Sequence, residues 1–318
     1  MITQVTKEPV ITKVKKPRPK RGLSERQEER MFWVFISPWV IGFLAFSGGP
    51  IIASLFLSFT KYNVMSAPVF VGLKNFIDLF QDPIFYKSLG VTLYYTVLSV
   101  PFDIVLALLL AVLLNQKVKG QAFFRTIFYA PSIVSGVAIS FLWSWLLNPV
   151  FGVVNYLLSF LGIHGILWFS GIRTVVPSFV LMTMTSIGGT MIIFLASLQS
   201  LPTDVYEAAA LDGASKFQQF IKITVPLISP VILFNVIIGI INSFQVFTQA
   251  YVITQGGPNY NSYFYVYYLF DTAFNQFRMG YASAQAWILF IIVALLTFLS
   301  LHVSKKYVYY GDSAHGGN

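Results

Sequence analysis

The sequence predicts an all-α membrane protein whose chain crosses the bilayer about six times. Three observations carry this prediction. Only 10% of the 318 residues are charged, 56% are hydrophobic, and the mean hydropathy is +0.70. An average soluble domain carries about a quarter charged residues, so this chain cannot cover its surface for water. Long uncharged windows also recur, and a membrane helix needs about 20 apolar residues.

Charged residues mark the gaps between the expected spans. Window 88–116 contains a single charged residue, Asp103, and five further windows contain none. Two of those windows, 126–172 and 223–270, are too long for one helix and break at proline- and glycine-rich turns. Residues 151–168 and the Tyr-rich segment after 258 then suit a membrane interface. We expect the spans at about 32–59, 88–114, 123–147, 174–200, 226–253 and 282–303.

The distribution of Lys and Arg predicts the orientation of the spans. Nine of the 21 lie in the first 30 residues, and 16 lie in the termini and the loops after spans two and four. Because positive residues stay on the cytoplasmic side, both termini are expected there. Window 31–60 is about twice the length of a signal-peptide apolar region, so span one is expected to be a permanent helix.

Four regions follow from these windows. We expect a basic cytoplasmic arm over 1–31 and a first span with an outer loop over 32–87. A core of five helices should occupy 88–304, and a cytoplasmic tail 305–318. The net charge of +9 reflects the Lys and Arg residues that set the orientation of the spans, and it does not indicate a surface that binds nucleic acid. The absence of cysteine excludes disulfides and thiol chemistry.

The loop over 202–225, between spans four and five, carries the strongest local signals. Thr203 is expected to cap a first helix that contains three consecutive alanines, and Gly213 to end it in a left-handed conformation. Ser215 and Gln218 form a capping box that opens a second helix. Such a helix pair fits a groove on another protein, whereas a plain connector needs neither caps nor alanines. The residues alone leave both interpretations open.

The motifs in this loop resemble those of a known family. Glu207-Ala208-Ala209, Asp212-Gly213-Ala214, Ile223 and Pro226 are similar to the EAA loop of bacterial ABC importer permeases, in particular the carbohydrate-uptake branch with maltose-type and glycerol-phosphate-type members. The one departure is Val225, where that branch usually has Leu. This exchanges one apolar side chain for another and leaves the resemblance intact. The resemblance extends to Ser58-Phe59-Thr60, residues 70–76, Gly256-Gly257-Pro258 and residues 280–284.

The resemblance implies a set of partners and a location. It implies a bacterial cytoplasmic (inner) membrane, a second homologous permease subunit, two ATPase subunits that bind ATP and Mg²⁺, and an extracytoplasmic sugar-binding protein. It assigns ATPase coupling to Glu207, Ala208, Ala209, Asp212 and Gly213. It places the Gly256-Gly257-Pro258 turn at the outer mouth, where the binding protein docks.

Missing motifs support a subunit without catalysis of its own. The sequence has no G-x-x-x-x-G-K-[ST] loop for nucleotide phosphates, so the energy must come from a partner. Its three histidines, His164, His302 and His315, have no companions at metal-ligand spacing, so no cofactor or metal is expected on this chain.

Polar residues inside the spans are the candidates for a substrate pathway. Asp103 is costly in the membrane, and we expect it either to serve function or to make a structural hydrogen bond near Pro101. Span five carries a polar and aromatic stripe in which Asn242 and Gln245, three residues apart, should share a helix face. The same residues could instead join helices. The pathway set is Asn242, Gln245, Phe247, Gln249, Tyr251 and Asp103.

The sequence supports two other functions less well than it supports an importer subunit. A stand-alone secondary transporter would need several intramembrane carboxylates, and Asp103 alone is poor support for one. A membrane enzyme would need a nucleophile, a base or a metal that converge, and the spans offer none. The resemblance includes importers of disaccharides, oligosaccharides and glycerol 3-phosphate. The lack of Lys and Arg inside the spans mildly favours an uncharged sugar over a phosphate-bearing solute. An acidic oligosaccharide stays an alternative, because the binding proteins carry much of the selection.

Overall fold

The computed structural model describes residues 23–116, 120–163, 165–305 and 308, with the side chains of 23–26 excepted. Several predictions therefore lie outside the described residues. They concern most of the basic arm, the tail beyond 305, and the following side chains: Lys117, Lys119, His164, Lys306 and His315. The chain divides into two compact units between Ala53 and Ser54.

The first unit is a long apolar helix with one irregular turn. Helix α1 spans Leu23–Phe43, a π-helical turn spans Leu44–Gly48, and α2 (Gly49–Ser58) begins within this unit. The amide of Gly49 bonds to the carbonyl of Leu44, which widens the turn just before Pro50. Such π turns are a common cause of local helix bending.

The second unit is almost entirely helical. After the end of α2 come a short antiparallel hairpin, thirteen further α-helices numbered to α15, and a last long helix α16. The hairpin strands are β1 (Thr60–Lys61) and β2 (Val69–Phe70). The helices are α3 (Lys74–Gln81), α4 (Pro83–Asn115), α5 (Gln121–Tyr129), α6 (Gly136–Leu146), α7 (Val153–Ser159), α8 (Val175–Met182), α9 (Ile187–Gln199), α10 (Thr203–Leu211), α11 (Lys216–Gln219), α12 (Val225–Leu227), α13 (Ser229–Phe244), α14 (Thr248–Ile253), α15 (Tyr265–Phe270) and α16 (Met279–Ser304).

The helices confirm a multi-span membrane protein but not six straight spans. Within the described residues, four helical segments, two of which contain an irregular turn, are long and apolar enough to cross a membrane: Gln27–Ser58, Pro83–Asn115, Ser229–Ile253 and Met279–Ser304. Two further pairs are bent, by 102° between α5 and α6 and by 53° between α8 and α9. The total reaches six when each bent pair counts as one span.

Each bend has a local cause. Between α5 and α6 the chain forms a 3₁₀ turn, Ala130–Ile133, that contains Pro131, and the helix cannot continue through a residue without an amide hydrogen. Between α8 and α9 a 3₁₀ turn, Thr183–Thr185, precedes the pair Gly188-Gly189. The windows 123–147 and 174–200 therefore hold broken spans rather than straight ones.

Helix α4 is the centre of the second unit and packs against α8, α9 and α13. Its 33 residues extend about 50 Å at 1.5 Å per residue. Small residues allow close approach: Ala107 and Ala111 are fully buried, and Gly239 of α13 lies against Val100. Close contact between small residues is typical of helix packing in membranes.

The two ends of α4 define two ends of the unit. The hairpin end consists of residues 59–82 and 254–281. Asp82 joins these two stretches, because its carboxylate accepts hydrogen bonds from Tyr268 and Tyr281. The loop end consists of residues 200–228, near the carboxyl end of α4, and includes α10, α11 and α12.

Candidate functional site

A polar cavity of about 340 Å³ lies among the membrane helices of the second unit. Its walls come from α4, α6, α8, α9, α13 and the turns that join them. The polar side chains that line it include Ser99, Asp103, Thr183, Asn235, Asn242 and Gln249. No Lys or Arg occurs among the described residues of the lining, so Asp103 is the only charged side chain there.

The carboxylate of Asp103 is the least satisfied group in this cavity. Its Oδ1 is buried and has no hydrogen-bond partner, and Thr183 is its polar neighbour. The expected structural hydrogen bond to the backbone near Pro101 is therefore not made by this oxygen. A buried acceptor without a partner is costly, and Asp103 lines the cavity, so a polar solute that enters the cavity can offer this residue a hydrogen-bond donor.

Only part of the predicted stripe in span five reaches the cavity. Asn242 and Gln249 line it, whereas Gln245, Phe247 and Tyr251 do not. The stripe is divided between two helices: α13 ends at Phe244, Gln245 is its C-cap, and α14 starts only at Thr248. The expectation that Asn242 and Gln245 share a helix face stays a prediction.

Two members of the predicted stripe instead join an aromatic cluster. The Phe247 ring centroid lies 5.3 Å from that of Tyr251 and 4.7 Å from that of Phe270, and Tyr251 lies 5.7 Å from Tyr267. These rings pack α14 against α15, and edge-to-face pairs of this kind add to stability. Their assignment to the pathway stays a prediction.

The cavity also contains polar residues that the predicted set omitted. Asn235 lies two turns before Asn242 on α13, and Ser99 lies one turn before Asp103 on α4. Spacings of seven and four residues place both pairs on one helix face. Helical spacing from Asn242 and Asp103 could therefore have predicted that Asn235 and Ser99 line the cavity. The spacing is reliable here because α4 and α13 are regular helices between these residues.

The loop end presents a second candidate surface. Gly213 follows α10 with φ at +78°, and the capping box of Ser215 and Gln218 is complete, so both predictions are confirmed. Thr203 was wrongly expected to be the N-cap: Pro202 holds that position, Thr203 is the first helical residue, and no side chain caps α10.

Helix α10 buries none of its residues in this chain. Glu207, Ala208, Asp212 and Gly213 are exposed, and Ala209 is half-buried. A hydrogen bond of 2.9 Å between the hydroxyls of Tyr206 and Thr224 ties α10 to the part of the loop that leads into span five. The π-helical turn Phe220–Thr224 then leads into α12, and Pro226 lies within that helix.

Exposed apolar side chains surround this surface. Leu211 is 89% exposed and Phe217 is 74% exposed, and Val205 and Ile221 are also exposed. Apolar side chains of this size are seldom left bare together unless a partner covers them.

The third candidate feature is the Gly256-Gly257-Pro258 turn at the hairpin end. Gly256 is buried with φ at +84°, and a Cβ there would lie 2.6 Å from the Tyr263 ring. The exposed tip of the turn is Asn259 and Tyr260 instead. The glycines thus determine the conformation of the turn, and Asn259 and Tyr260 form its exposed surface.

The hydrogen bonds of this turn anchor it to the helices. The hydroxyls of Thr254 and Ser262 lie 2.6 Å apart, and the Lys87 ammonium donates to the Asn261 side chain at 2.8 Å. Among the described residues no group of three His, Cys, Asp or Glu is arranged to hold a metal ion.

Comparison with known proteins identifies the family. The family described as "Binding-protein-dependent transport system inner membrane component" matches residues 103–308, well over half of the chain. The probable ABC transporter permease protein YesP of Bacillus subtilis (strain 168) is 43% identical, over 92% of this chain and 96% of that protein. The probable starch degradation products transport system permease protein AmyD of Thermoanaerobacterium thermosulfurigenes is 32% identical, over 86% of this chain and 94% of that protein.

A solved structure shares the fold. A crystal structure of a bacterial alginate ABC transporter, in complex with a periplasmic protein that carries an alginate pentasaccharide, matches with a TM-score of 0.79. The match covers 92% of this chain and all of that chain at 23% identity. The resemblance found in the motifs is thus confirmed, and the chain belongs to the family of binding-protein-dependent transport system inner membrane components.

Proposed function

We propose that this chain forms one half of the translocation pathway of an ATP-driven importer for an uncharged sugar or oligosaccharide. The cavity among its membrane helices carries the proposal. Amide and hydroxyl groups suit sugar hydroxyls, and Asp103, whose buried Oδ1 has no partner within the chain, lines the same cavity. The relative named for the transport of starch degradation products supports this solute class.

The charge of the lining favours an uncharged solute. Asp103 is the only charged group among the described residues that line the cavity, and in a low-dielectric site it would repel a carboxylate on a sugar acid. The solved alginate importer handles an acidic polysaccharide, so its solute would differ from the one proposed for this chain.

Helix α10 is proposed as the contact with an ATPase subunit. Its exposed alanines allow its backbone to approach a groove closely, and Glu207 and Asp212 can bond to basic residues there. We assign coupling to Glu207, Ala208, Ala209, Asp212 and Gly213. This chain would then be a non-catalytic subunit, and ATP and Mg²⁺ would bind to its two ATPase partners.

The rest of the assembly follows from the family. A second, homologous permease would complete the pathway, and an extracytoplasmic sugar-binding protein would dock beside Gly256-Gly257-Pro258, where Asn259 and Tyr260 are exposed. Closure of the ATPases would move α10, and the hydrogen bond between Tyr206 and Thr224 would pass that motion to span five. The hairpin end would face outward and the loop end the cytoplasm.

Copurification from native membranes tests the assembly. The tagged full chain should retain an ATPase, a second permease and a solute-binding protein, all identified by mass spectrometry. Glu207→Ala combined with Gly213→Ala should lose the ATPase. The matched control is Glu29→Ala with Gly162→Ala, because Glu29 is also exposed and Gly162 has φ at +76°, nearly that of Gly213. A chain that copurifies with nothing would support a stand-alone transporter.

Uptake into proteoliposomes tests the role of Asp103. The assembled complex should import a labelled neutral oligosaccharide only with ATP. Asp103→Ala should lower kcat/KM for uptake by about tenfold, the equivalent of one hydrogen bond to a charged group. Asp103→Asn, which keeps an acceptor, should lose less. Unchanged uptake in Asp103→Ala would remove this residue from the pathway.

A further inference from the structure

A second cavity, of about 240 Å³, lies at the hairpin end. It is lined by three cationic side chains, Lys61, Lys74 and Arg278, and by one carboxylate, Asp78. None of the three cations forms an ion pair within the described part of the chain, although the Arg278 guanidinium lies 4.2 Å from the centre of the Tyr281 ring. The cavity therefore has an excess of positive charge that the chain itself does not neutralise.

Backbone dipoles add to this field. Lys74 is the first residue of α3, and Arg278 is the N-cap of the 26-residue helix α16. The amino end of a helix carries a partial positive charge, so both helices begin where an anion would be stabilised. Three side-chain cations and two helix starts thus favour an anionic ligand.

The position of the cavity indicates which kind of anion. Lys61 follows the end of the apolar segment at Ser58 by three residues, and Arg278 immediately precedes the apolar helix that begins at Met279. Both cations thus lie where membrane segments emerge from the hydrocarbon, which is the level of the lipid head groups.

Exposed apolar side chains border the same cavity. Val69 is the cross-strand partner of Lys61 and is 62% exposed, so it lies on the same face of the hairpin. Phe277 lines the cavity and is 49% exposed, and Ile77, one turn after Lys74, is 55% exposed. A ligand with a phosphate and adjoining acyl chains matches this combination of cations and apolar surface.

We propose that this cavity binds the head group of an anionic phospholipid. Lys61, Lys74 and Arg278 contact the phosphate, and Asp78 accepts a hydrogen bond from a head-group hydroxyl, such as the one that phosphatidylglycerol carries. Acyl chains lie along Val69 and Ile77. This site depends on the chain being in a membrane and not on which solute it carries.

Native mass spectrometry of the purified complex tests the site. The wild type should retain phosphatidylglycerol, and Lys61→Gln with Lys74→Gln should lower its affinity about thirtyfold, because two cations near an anionic lipid are lost. The matched control is Lys87→Gln with Arg173→Gln, which removes the same charge from a different cavity. An equal loss in the control would show a general charge effect and overturn the site.

Thermal unfolding in detergent separates the sources of the phosphate. Added phosphatidylglycerol should raise the Tm of the wild type and leave the double variant unchanged, and phosphatidylcholine should affect neither. A rise of the same size with inorganic phosphate alone would overturn the lipid assignment. So would a double variant that keeps its phosphatidylglycerol but loses the solute-binding protein, since the cations would then belong to a protein interface.

Discussion

At the hairpin end, polar side chains bond to distant parts of the chain, whereas at the loop end α10 leaves the carboxylates of Glu207 and Asp212 exposed. Asp82 accepts hydrogen bonds from Tyr268 and Tyr281, both almost fully buried, and the Asn75 amide donates to the carbonyls of Ser58 and Thr60 at 2.8 Å each. Helix α10 buries nothing. The chain reverses direction between membrane helices at both ends. A reversal by itself therefore requires neither a buried hydrogen-bond network nor an exposed helix.

The difference indicates what each end needs from a partner. A network whose donors and acceptors are already paired is stable in the isolated subunit. An exposed helix with alanines, carboxylates and bare apolar side chains gains its contacts only in an assembly. Substitutions at the hairpin end should therefore lower the stability of the subunit, and substitutions at α10 should lower transport and leave the stability unchanged.

The largest effect is expected for Gly280→Ala at the hairpin end. A Cβ on Gly280 would overlap the carbonyl oxygen of Thr60, and the Gly280 amide bonds to the Tyr62 carbonyl at 3.2 Å. Backbone cannot move aside as a side chain can, so we expect a loss of about 3 kcal/mol in unfolding free energy. The control is Gly90→Ala, where a Cβ meets nothing within 4 Å. A Tm shift equal to that of the control would contradict close packing here.

Asp82→Ala should have the next largest effect. Its carboxylate accepts from two tyrosine hydroxyls and caps α4 through the Ile84 amide at 2.8 Å. Removal leaves buried hydroxyls without an acceptor and uncaps a helix, which should cost about 2 kcal/mol in unfolding free energy. Asp82→Asn keeps one of the two acceptor oxygens and should cost less, as measured by thermal unfolding in detergent. Equal losses in both variants would point to charge rather than to hydrogen bonding.

Glu207→Ala should instead act on transport. We expect the ATP-dependent uptake rate to fall about tenfold, the size of one lost charge-assisted contact, while the Tm of the isolated subunit stays unchanged. Uptake by reconstituted complexes and thermal unfolding of the chain alone are the two measurements. A lowered Tm with normal uptake would contradict the assignment of α10 to transport, because Glu207 would then contribute to the stability of the subunit.

The smallest effect is expected from pH at Asp271, which lies between α15 and α16. Burial acts to raise its pKa, but hydrogen bonds from Asn275, Gln276 and Tyr263 outweigh it and hold the pKa below its ordinary value of 3.8. A carboxyl with a lowered pKa stabilises the fold above its ordinary value and loses that contribution as the pH falls through its folded pKa.

The difference in Tm between the wild type and Asp271→Asn should therefore be constant from pH 7 to about pH 5 and shrink on further acidification. Thermal unfolding at a series of pH values measures it. A difference that grows at low pH would mean that the carboxyl is destabilising in the folded chain.

Local patterns in the sequence were sufficient for much of the architecture. The apolar windows determined the helical membrane fold, because a segment of about 20 apolar residues can satisfy its backbone in lipid only as a helix. The left-handed Gly213 and the capping box of Ser215 and Gln218 depend on neighbours within a few residues. The motifs of the 202–225 loop likewise indicated the family without any structure.

Tertiary structure decided the features that depend on distant or broken segments. Asp82 and Tyr268 are 186 residues apart, and no local pattern links them. The irregular turn at 245–247 divides the predicted stripe between α13 and α14, and of that stripe only Asn242 and Gln249 line the cavity. The sequence by itself determined that the chain is a helical membrane protein of this family. The tertiary structure alone decided which polar groups meet, because contacts between helices depend on bends and packing that sequence spacing does not encode.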